Sequence, residues 1–134
     1  MLILCLTMKL SHKFIKTIPD ELEDCVIYIS LEYGTAMHNC CCGCGRKVVT
    51  PLSSYDWQML FDGDTISLYP SIGNWNFPCQ SHYWIINSEI EWAPRWTKRQ
   101  IKEVQENEQR PREERKKANP FSIFEWFSKR KRHR

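Results

Sequence analysis

Residues 38–52, HNCCCGCGRKVVTPL, carry four cysteines within five positions, and this stretch decides the fold. The cysteines are Cys40, Cys41, Cys42 and Cys44. Gly43 and Gly45 lie among them, and glycine allows the tight turns that bring neighbouring side chains together. Farther along, the segment CQSH adds Cys79 and His82 with a Cys-x-x-His spacing. Because zinc takes four thiolate or imidazole ligands in a tetrahedron, the sequence predicts a zinc site that joins these two turns.

Two sets of ligands are compatible with the spacing. Cys41 and Cys44 form a Cys-x-x-Cys pair, whereas the other set alternates along the chain. We favour the alternating set, since an intervening glycine lets alternate residues converge on one point. Its members are Cys40, Cys42, Cys44 and Cys79. His82 is then free of the metal, but the spacing also fits His82 as the fourth ligand, and both possibilities stay open.

Free thiols and a redox pair are the alternative interpretations of the cluster. Ordinary free thiols are seldom this crowded in a short stretch. A redox pair is typically followed by a helix, whereas the following segment RKVVTPL looks like a strand. Metal binding is therefore the favoured interpretation.

The composition limits the class of protein. The chain has 134 residues, 42% of them hydrophobic and six of them Trp, which is typical of one small globular domain. A core of this size gains stability from a bound metal. No run approaches the roughly 18 apolar residues of a membrane span. The opening MLILCLT lacks the features of a secretory signal, and Met8 is as good a start as Met1. We expect a cytoplasmic protein, whose cysteines bind metal rather than form disulfides.

Charge divides the chain into two parts. Residues 1–94 contain five Lys and Arg against ten Asp and Glu, a net charge of −5. Residues 95–134 contain fourteen against six, a net charge of +8. We predict a zinc-binding β-rich domain over residues 8–94 and a charged helix with a basic aromatic tail over residues 95–134. The division bears on association and solubility rather than on the fold.

Hydrophobic patterning predicts a small α+β fold, β-rich and built of zinc-stabilised hairpins, with a charged helix near its C-terminus. The dipeptide Asp62-Gly63 between two apolar runs is the strongest hairpin signal. Residues 70–82 are predicted as turns because they are rich in Pro, Gly and Asn. The predicted strands are residues 25–33, 47–51, 57–61, 65–69, 83–86 and 89–92.

A solvated helix or linker is expected after Pro94. Thr97 is its expected N-cap, and Pro111 interrupts it. Its apolar stripe is thin and consists of Ile101, Val104 and Gln105.

A serine and a histidine are candidates for catalysis. If four cysteines close the zinc site, His82 is available as a general base, since its pKa lies near neutrality. Ser71 lies in the segment YPSIGN, where a tight turn would expose its hydroxyl, and Ser81 precedes His82 directly. Pro-Ser is also common turn chemistry, so these residue types alone favour a structural role for Ser71.

Four segments together resemble a known family. HNCCCGCG, VVTPL, SLYPSIGNW and CQSHYWI, in this order, are similar to a family of small bacterial proteins of formerly unknown function. Its members are encoded beside ubiquitin-like proteins, their activating enzymes and their conjugating enzymes. The resemblance covers residues 8–92 and leaves out the basic tail. It implies zinc binding and a role in processing or removing the ubiquitin-like modifier.

The resemblance also implies roles for individual residues. The family's cysteine motif falls on the alternating set, and its second motif falls on Cys79, Ser81 and His82. The implied activity is that of a serine-type hydrolase, with Ser71 as nucleophile and His82 as base. Asn74 and Ser81, or backbone amides of residues 70–73, would face the substrate and its oxyanion. A catalytic zinc held by His82 ranks lower, because thiolate-rich zinc is usually structural.

Two non-enzymatic functions compete with this interpretation. A zinc-binding adaptor would bind the ubiquitin-like protein or its conjugating and activating enzymes through Trp75, Trp84 and Trp92, although these side chains would also fill a small core. Nucleic-acid binding through the terminal KRKRHR is the weaker alternative, because terminal charge runs are usually solvated and the body is acidic.

Overall fold

Two four-stranded sheets and one helix make up the part of the chain that this computed structural model describes, residues 9–111 and Glu114. The first sheet contains β1 (Ser11–Phe14), β2 (Val26–Ser30), β3 (Thr35–Asn39) and β4 (Lys47–Pro51). The second contains β5 (Gln58–Phe61), β6 (Ile66–Gly73), β7 (His82–Ile86) and β8 (Glu89–Trp92). The helix α1 spans Lys98–Glu108. The β-rich character that the sequence predicts is confirmed.

Strands that are consecutive in the chain are neighbours in each sheet. β1 and β2 pair in parallel, and all other pairs are antiparallel. Connections between neighbouring strands can therefore be short, as they are in most folds. The chain passes from the first sheet to the second between β4 and β5.

Both sheets share one hydrophobic core. Every residue of β2 is buried, because its sequence VIYIS supplies β-branched and aromatic side chains to both faces. The first sheet contributes Ile27, Ile29, Ala36 and Val48 to the core. The second contributes Ile66, Leu68, Ile72, Tyr83, Ile85 and Ile90.

The hairpin predicted at Asp62-Gly63 is present between β5 and β6. Gly63 has φ of +95°, a conformation that glycine adopts without steric cost. The Asp62 carboxylate accepts hydrogen bonds from the backbone N–H groups of Asp64 at 2.9 Å and Thr65 at 2.6 Å. The turn chemistry of four consecutive residues, 62–65, therefore sets the register of this hairpin.

The hairpin between β7 and β8 also agrees with the sequence prediction. Asn87 and Ser88 connect the strands with φ of +51° and +61°. Two consecutive left-handed residues are what a two-residue type I′ turn requires. This turn aligns the start of β7, at His82, with the end of β8.

β6 departs from the prediction. Residues 70–82 were expected to be turns, but the strand continues through Pro70 and ends at Gly73. Its pairing with β7 shifts register between Leu68 and Ile72, which is a β-bulge. A bulge accommodates Pro70, because proline has no N–H to donate to the ladder.

β1 and β3 are strands that the sequence did not predict. Their sequences, SHKF and TAMHN, carry mostly polar residues, so neither shows a strong apolar pattern. The strand expected at residues 25–33 is shorter than predicted. Cys25 has φ of +62°, and the strand ends at Ser30 before a turn that leads into β3. Pairing on both sides of β2 thus forms strands that local propensity does not specify.

Helix α1 begins at the predicted N-cap and packs by its apolar stripe. Thr97 and Gln100 form a capping box, with the Thr97 hydroxyl accepting from the Gln100 N–H at 3.2 Å. Ile101 is buried, and the Gln105 side chain donates to Asn76 Oδ1 at 2.9 Å. The solvated helix or linker expected here is therefore a helix attached to the connection between β6 and β7. With eleven residues, this helix of the described chain is too short and too polar to cross a bilayer.

Two leucines provide a matched test of the core. Leu68 is completely buried, whereas Leu31 is 67% exposed. We expect Leu68→Ala to lower the free energy of unfolding by about 2–5 kcal/mol, since it removes buried methyl groups and leaves a cavity. Leu31→Ala should change it by no more than about 0.5 kcal/mol. Urea unfolding of both variants measures the difference, and equal losses would contradict the assignment of the core.

Candidate active site and metal centre

Four cysteines converge between the two sheets. Their sulfur atoms all lie within 4.8 Å of one another, and the residues are Cys40, Cys42, Cys44 and Cys79. The first three follow β3, and Cys79 lies in the connection between β6 and β7. The structure thus brings together the alternating set of cysteines. Among the described residues, this is the group of His, Cys, Asp and Glu side chains that could hold a metal ion.

The spacing of the sulfurs fits tetrahedral zinc. The Sγ atoms of Cys40 and Cys42 are 3.4 Å apart, and Cys79 Sγ lies 3.9 Å from those of Cys40 and Cys44. Zn–S bonds of about 2.3 Å in a tetrahedron separate the sulfurs by roughly 3.8 Å. An all-thiolate set also matches the softness of zinc rather than that of calcium or magnesium.

The thiols differ in acidity without a metal. Burial raises the pKa of Cys40 and of Cys42. Burial also acts to raise the pKa of Cys79, but hydrogen bonds from Ser81 and from the thiols of Cys42 and Cys44 outweigh it and lower the value to about 7. Zinc binding must therefore displace protons from at least Cys40 and Cys42 near neutral pH.

Asn74 and Ser81 lie beside the sulfurs. The Asn74 amide donates to Ser81 Oγ at 2.8 Å and faces Cys40 Sγ at 3.7 Å. Ser81 Oγ lies 3.1 Å from Cys40 Sγ and 3.5 Å from Cys79 Sγ. Both side chains are buried. These contacts suit polar groups that stabilise thiolates, and the substrate and oxyanion role that the resemblance implied for both side chains stays a prediction.

The remaining described cysteines stand apart from this cluster. Cys41 is a buried free thiol whose pKa burial raises to about 12. Cys25 is disulfide-bonded, so the expectation that the cysteines bind metal rather than form disulfides is wrong at this position. His38 is fully buried and hydrogen-bonds the Tyr83 hydroxyl at 2.7 Å through Nε2. It therefore links the two sheets and is not among the clustered ligands.

Ser71 and His82 form a hydrogen-bonded pair across β6 and β7. His82 Nε2 lies 2.9 Å from Ser71 Oγ, and His82 Nδ1 lies 3.3 Å from the Pro94 carbonyl oxygen. Because a carbonyl oxygen only accepts, Nδ1 must carry the proton of the neutral ring. Nε2 then holds a lone pair, and the Ser71 hydroxyl donates to it. This is the arrangement of a nucleophile beside a general base.

Three tryptophan rings surround the His82 imidazole. The centroid of the imidazole lies 5.0 Å from that of Trp75, 4.7 Å from that of Trp96 and 5.9 Å from that of Trp84. Only 6% of His82 is exposed, and this burial lowers its pKa, while the hydrogen bond to Pro94 acts in the opposite direction. The imidazole is therefore neutral, and able to accept a proton, at physiological pH.

An open cleft lies over the pair. It has a volume of about 540 Å³, within the range of small-molecule and peptide sites. Ser71, Gly73 and His82 lie on the side of the second sheet, and Val104 lies on the side of α1. The aromatic residues of its lining are Tyr55, Trp57, Trp75 and Trp96. Asn74 and Ser81 are not among the lining residues.

The sequence does not identify two of the groups at this site. The Pro94 carbonyl is a backbone atom, and no residue type signals it. Trp96 lies in a segment whose charge predicts a solvated helix or linker. A tryptophan between two polar residues is nevertheless a signal of packing against the rest of the domain. Both act through tertiary contacts, which composition does not show.

Two features define the class of protein: a β-rich scaffold carrying a four-cysteine cluster, and a hydrogen-bonded Ser–His pair in a cleft. The chain belongs to the family described as Bacterial ubiquitination-like system serine protease (BubE), whose model matches residues 14–93, more than half of the chain. The resemblance to a family tied to ubiquitin-like conjugation is thereby confirmed. No curated protein and no solved structure matches the chain.

Metal content tests the ligand set. We expect Cys42→Ser to abolish stoichiometric zinc binding, because it removes one of four converging sulfurs. Cys41→Ser is the matched control, since Cys41 is an adjacent free cysteine outside the cluster. Elemental analysis of purified protein should give one zinc per chain for wild type and control. Zinc loss in Cys41→Ser with retention in Cys42→Ser would instead favour the Cys-x-x-Cys register.

The protonation of the thiols gives a second test. Zinc affinity should rise with pH, because Cys40 and Cys42 must lose protons that they hold near neutrality. Calorimetric titration at one pH in buffers of different ionisation enthalpy counts the protons released. We expect at least two per zinc bound, and a count of zero would contradict thiolate ligation.

Proposed function

We propose that this protein is a serine-type peptidase that processes or deconjugates a bacterial ubiquitin-like protein, on a scaffold stabilised by a structural zinc ion. The observation that carries the proposal is the 2.9 Å contact between Ser71 Oγ and His82 Nε2 in an open cleft. The Pro94 carbonyl supports it, because it selects the tautomer in which His82 accepts the serine proton. The family description supplies the pathway and the reaction type.

Acylation begins at Ser71. Its oxygen attacks the carbonyl carbon of the scissile amide while its proton passes to His82 Nε2. The resulting imidazolium keeps its Nδ1 hydrogen bond to the Pro94 carbonyl, which favours the charged ring. His82 then donates the Nε2 proton to the amide nitrogen, the C–N bond breaks, and the amine leaves with an acyl group bound to Ser71.

Deacylation repeats these steps with water. His82 Nε2 takes a proton from a water molecule as its oxygen attacks the ester carbon. Collapse of the second tetrahedral intermediate returns the proton to Ser71 Oγ and releases the carboxylic acid. The orienting partner of the base is a main-chain carbonyl here, where many serine hydrolases use a carboxylate.

Backbone N–H groups of the β6 bulge are the best candidates to donate hydrogen bonds to the oxyanion. Asn74 is a weaker candidate, since its amide already donates to Ser81 and faces a cysteine sulfur. Pro70 has no N–H, so the amide of Ser71 is the first donor available at the nucleophile. Backbone donors aimed at the developing charge typically contribute about 2.7–4 kcal/mol each.

The zinc site supports the catalytic pair from a distance. Its ligand Cys79 lies three residues before His82, in the connection that leads into β7. Four thiolate ligands would complete the coordination sphere, which is the arrangement of a structural zinc rather than one with an open water position. The metal would hold the connection between β6 and β7 in place. Ser71 and His82 would carry out the reaction.

Substitution of the two residues tests the proposed catalysis. We expect Ser71→Ala and His82→Ala each to lower kcat for a ubiquitin-like substrate with a C-terminal extension by about 10³-fold or more. The measurement is single-turnover cleavage followed by mass spectrometry. Ser11→Ala is the control, since this serine is exposed on β1. Retained cleavage in Ser71→Ala would refute the serine mechanism, and stable binding without cleavage by wild type would favour the adaptor function.

The pH dependence follows from the burial of His82. Below its pKa the ring is protonated and cannot accept the serine proton, so activity falls as pH decreases. Because burial holds that pKa below 6.5, the midpoint of the acid limb of kcat/KM should lie below pH 6.5. A midpoint of the acid limb above 6.5 would show that His82 is not the base or is not buried during catalysis.

A further inference from the structure

The segment after β8 contacts His82, the proposed catalytic base. Residues 94–108 of this segment lie beyond the family match, which ends at residue 93. We propose that residues 94–108 form part of the catalytic centre, and that Trp96 is a positioning residue that holds the His82 ring toward Ser71. The inference rests on the proposed function, in which His82 is the general base. It concerns how that base is held.

Two consecutive residues directly after β8, Ala93 and Pro94, form hydrogen bonds that hold His82 in place. The Ala93 N–H donates to the His82 backbone carbonyl at 3.0 Å, which extends the ladder between β7 and β8 beyond its last residue pair. The next residue, Pro94, places its carbonyl 3.3 Å from His82 Nδ1. The backbone and the ring of His82 are therefore both held by the same short stretch.

Trp96 restricts the rotation of the imidazole. Its indole stacks on that of Trp75 with centroids 4.9 Å apart and an interplanar angle of 17°. Both indoles meet the imidazole nearly edge to face, at 70° and 63°. Because the imidazole packs against both indoles at once, these rings limit the rotation that would move Nε2 away from Ser71. Aromatic contacts of this kind contribute about 0.5–1.5 kcal/mol each.

The partner of Trp96 in this stack is itself held in place. The Trp75 ring packs against the backbone of Gly73, where an added Cβ would lie 2.3 Å from the ring. Gly73 is therefore required for the position of Trp75. Trp96 stacks on the same Trp75 ring, so the orientation of His82 depends on both indoles.

Helix α1 fixes the position of Trp96. The capping box at Thr97 begins the helix directly after Trp96. Ile101 is buried, and the hydrogen bond from Gln105 to Asn76 attaches the helix to the connection between β6 and β7. Val104 and Asn107 continue along the same helix as one side of the cleft. The segment thus both positions the base and forms a wall for the substrate.

Steady-state kinetics test this role. We expect Trp96→Ala to lower kcat by about 10- to 100-fold, because a small misplacement of a catalytic group carries a cost of that order. KM should change much less, and Trp96→Phe should restore most of kcat, since it keeps an aromatic ring. Trp92→Ala is a stringent control, because Trp92 contacts Tyr83 rather than His82 and lies two residues from Pro94. Equal losses of kcat in Trp96→Ala and Trp92→Ala would overturn the proposal.

A readout that does not require activity separates this proposal from the proposed function. Nitrogen NMR of the His82 ring reports which nitrogen carries the proton and at what pH the ring titrates. In wild type we expect Nδ1 to be protonated, whereas Trp96→Ala should populate both tautomers and titrate closer to 6.5. An unchanged tautomer and titration in Trp96→Ala would refute the positioning role, even if cleavage is never observed. If Ser71→Ala cleaves normally, the proposed function fails while this test stands.

Folding of the variants is checked independently. Zinc content and thermal unfolding show whether Trp96→Ala keeps the scaffold. If it does not, Trp96→Leu replaces it, because leucine keeps apolar bulk at the cleft without an aromatic ring. Wild-type kcat and an unchanged His82 tautomer in a folded Trp96→Leu would overturn the proposal.

Discussion

The convergence of four cysteine sulfurs is the constraint on which the rest of the structure depends. Three of them follow β3 in the first sheet, and Cys79 lies in the second, so the cluster ties the two sheets together at one end. The core between the sheets is small, and a metal held by four sulfurs that lie within 4.8 Å of one another would strengthen it. One member of the cluster, Cys79, lies three residues before His82, the first residue of β7.

Polar groups are buried beside the cysteine cluster and between the sheets. Asn74 and Ser81 hydrogen-bond each other beside the sulfurs, and His38 joins the sheets through Tyr83. Buried polar groups cost free energy unless they are paired, so these contacts specify one arrangement of the two sheets. The candidate catalytic pair lies on the other side of β7, where the bulge of β6 and the tryptophan rings surround it.

The Ser–His pair depends on groups from distant parts of the chain. Ser71 comes from a bulged strand, His82 from the start of the next strand, and the Pro94 carbonyl from the segment beyond β8. Each is placed by backbone pairing rather than by its own local sequence. A backbone carbonyl as the partner of Nδ1 selects the tautomer without placing a second charge in the cleft.

The family resemblance supported the alternating set of cysteines and supplied the candidate roles of Ser71 and His82. The sequence by itself indicated a metal site, the hairpins around Asp62-Gly63 and Asn87-Ser88, and the capped helix. These features depend on turn chemistry, capping and ligand types, which act over a few residues. Tertiary structure alone decided that β6 continues through Pro70, that Asn74 and Ser81 face the sulfurs, and that Trp96 packs against the His82 ring. The physical reason is that strand register and side-chain packing arise from contacts between residues far apart in the chain, which no local pattern encodes.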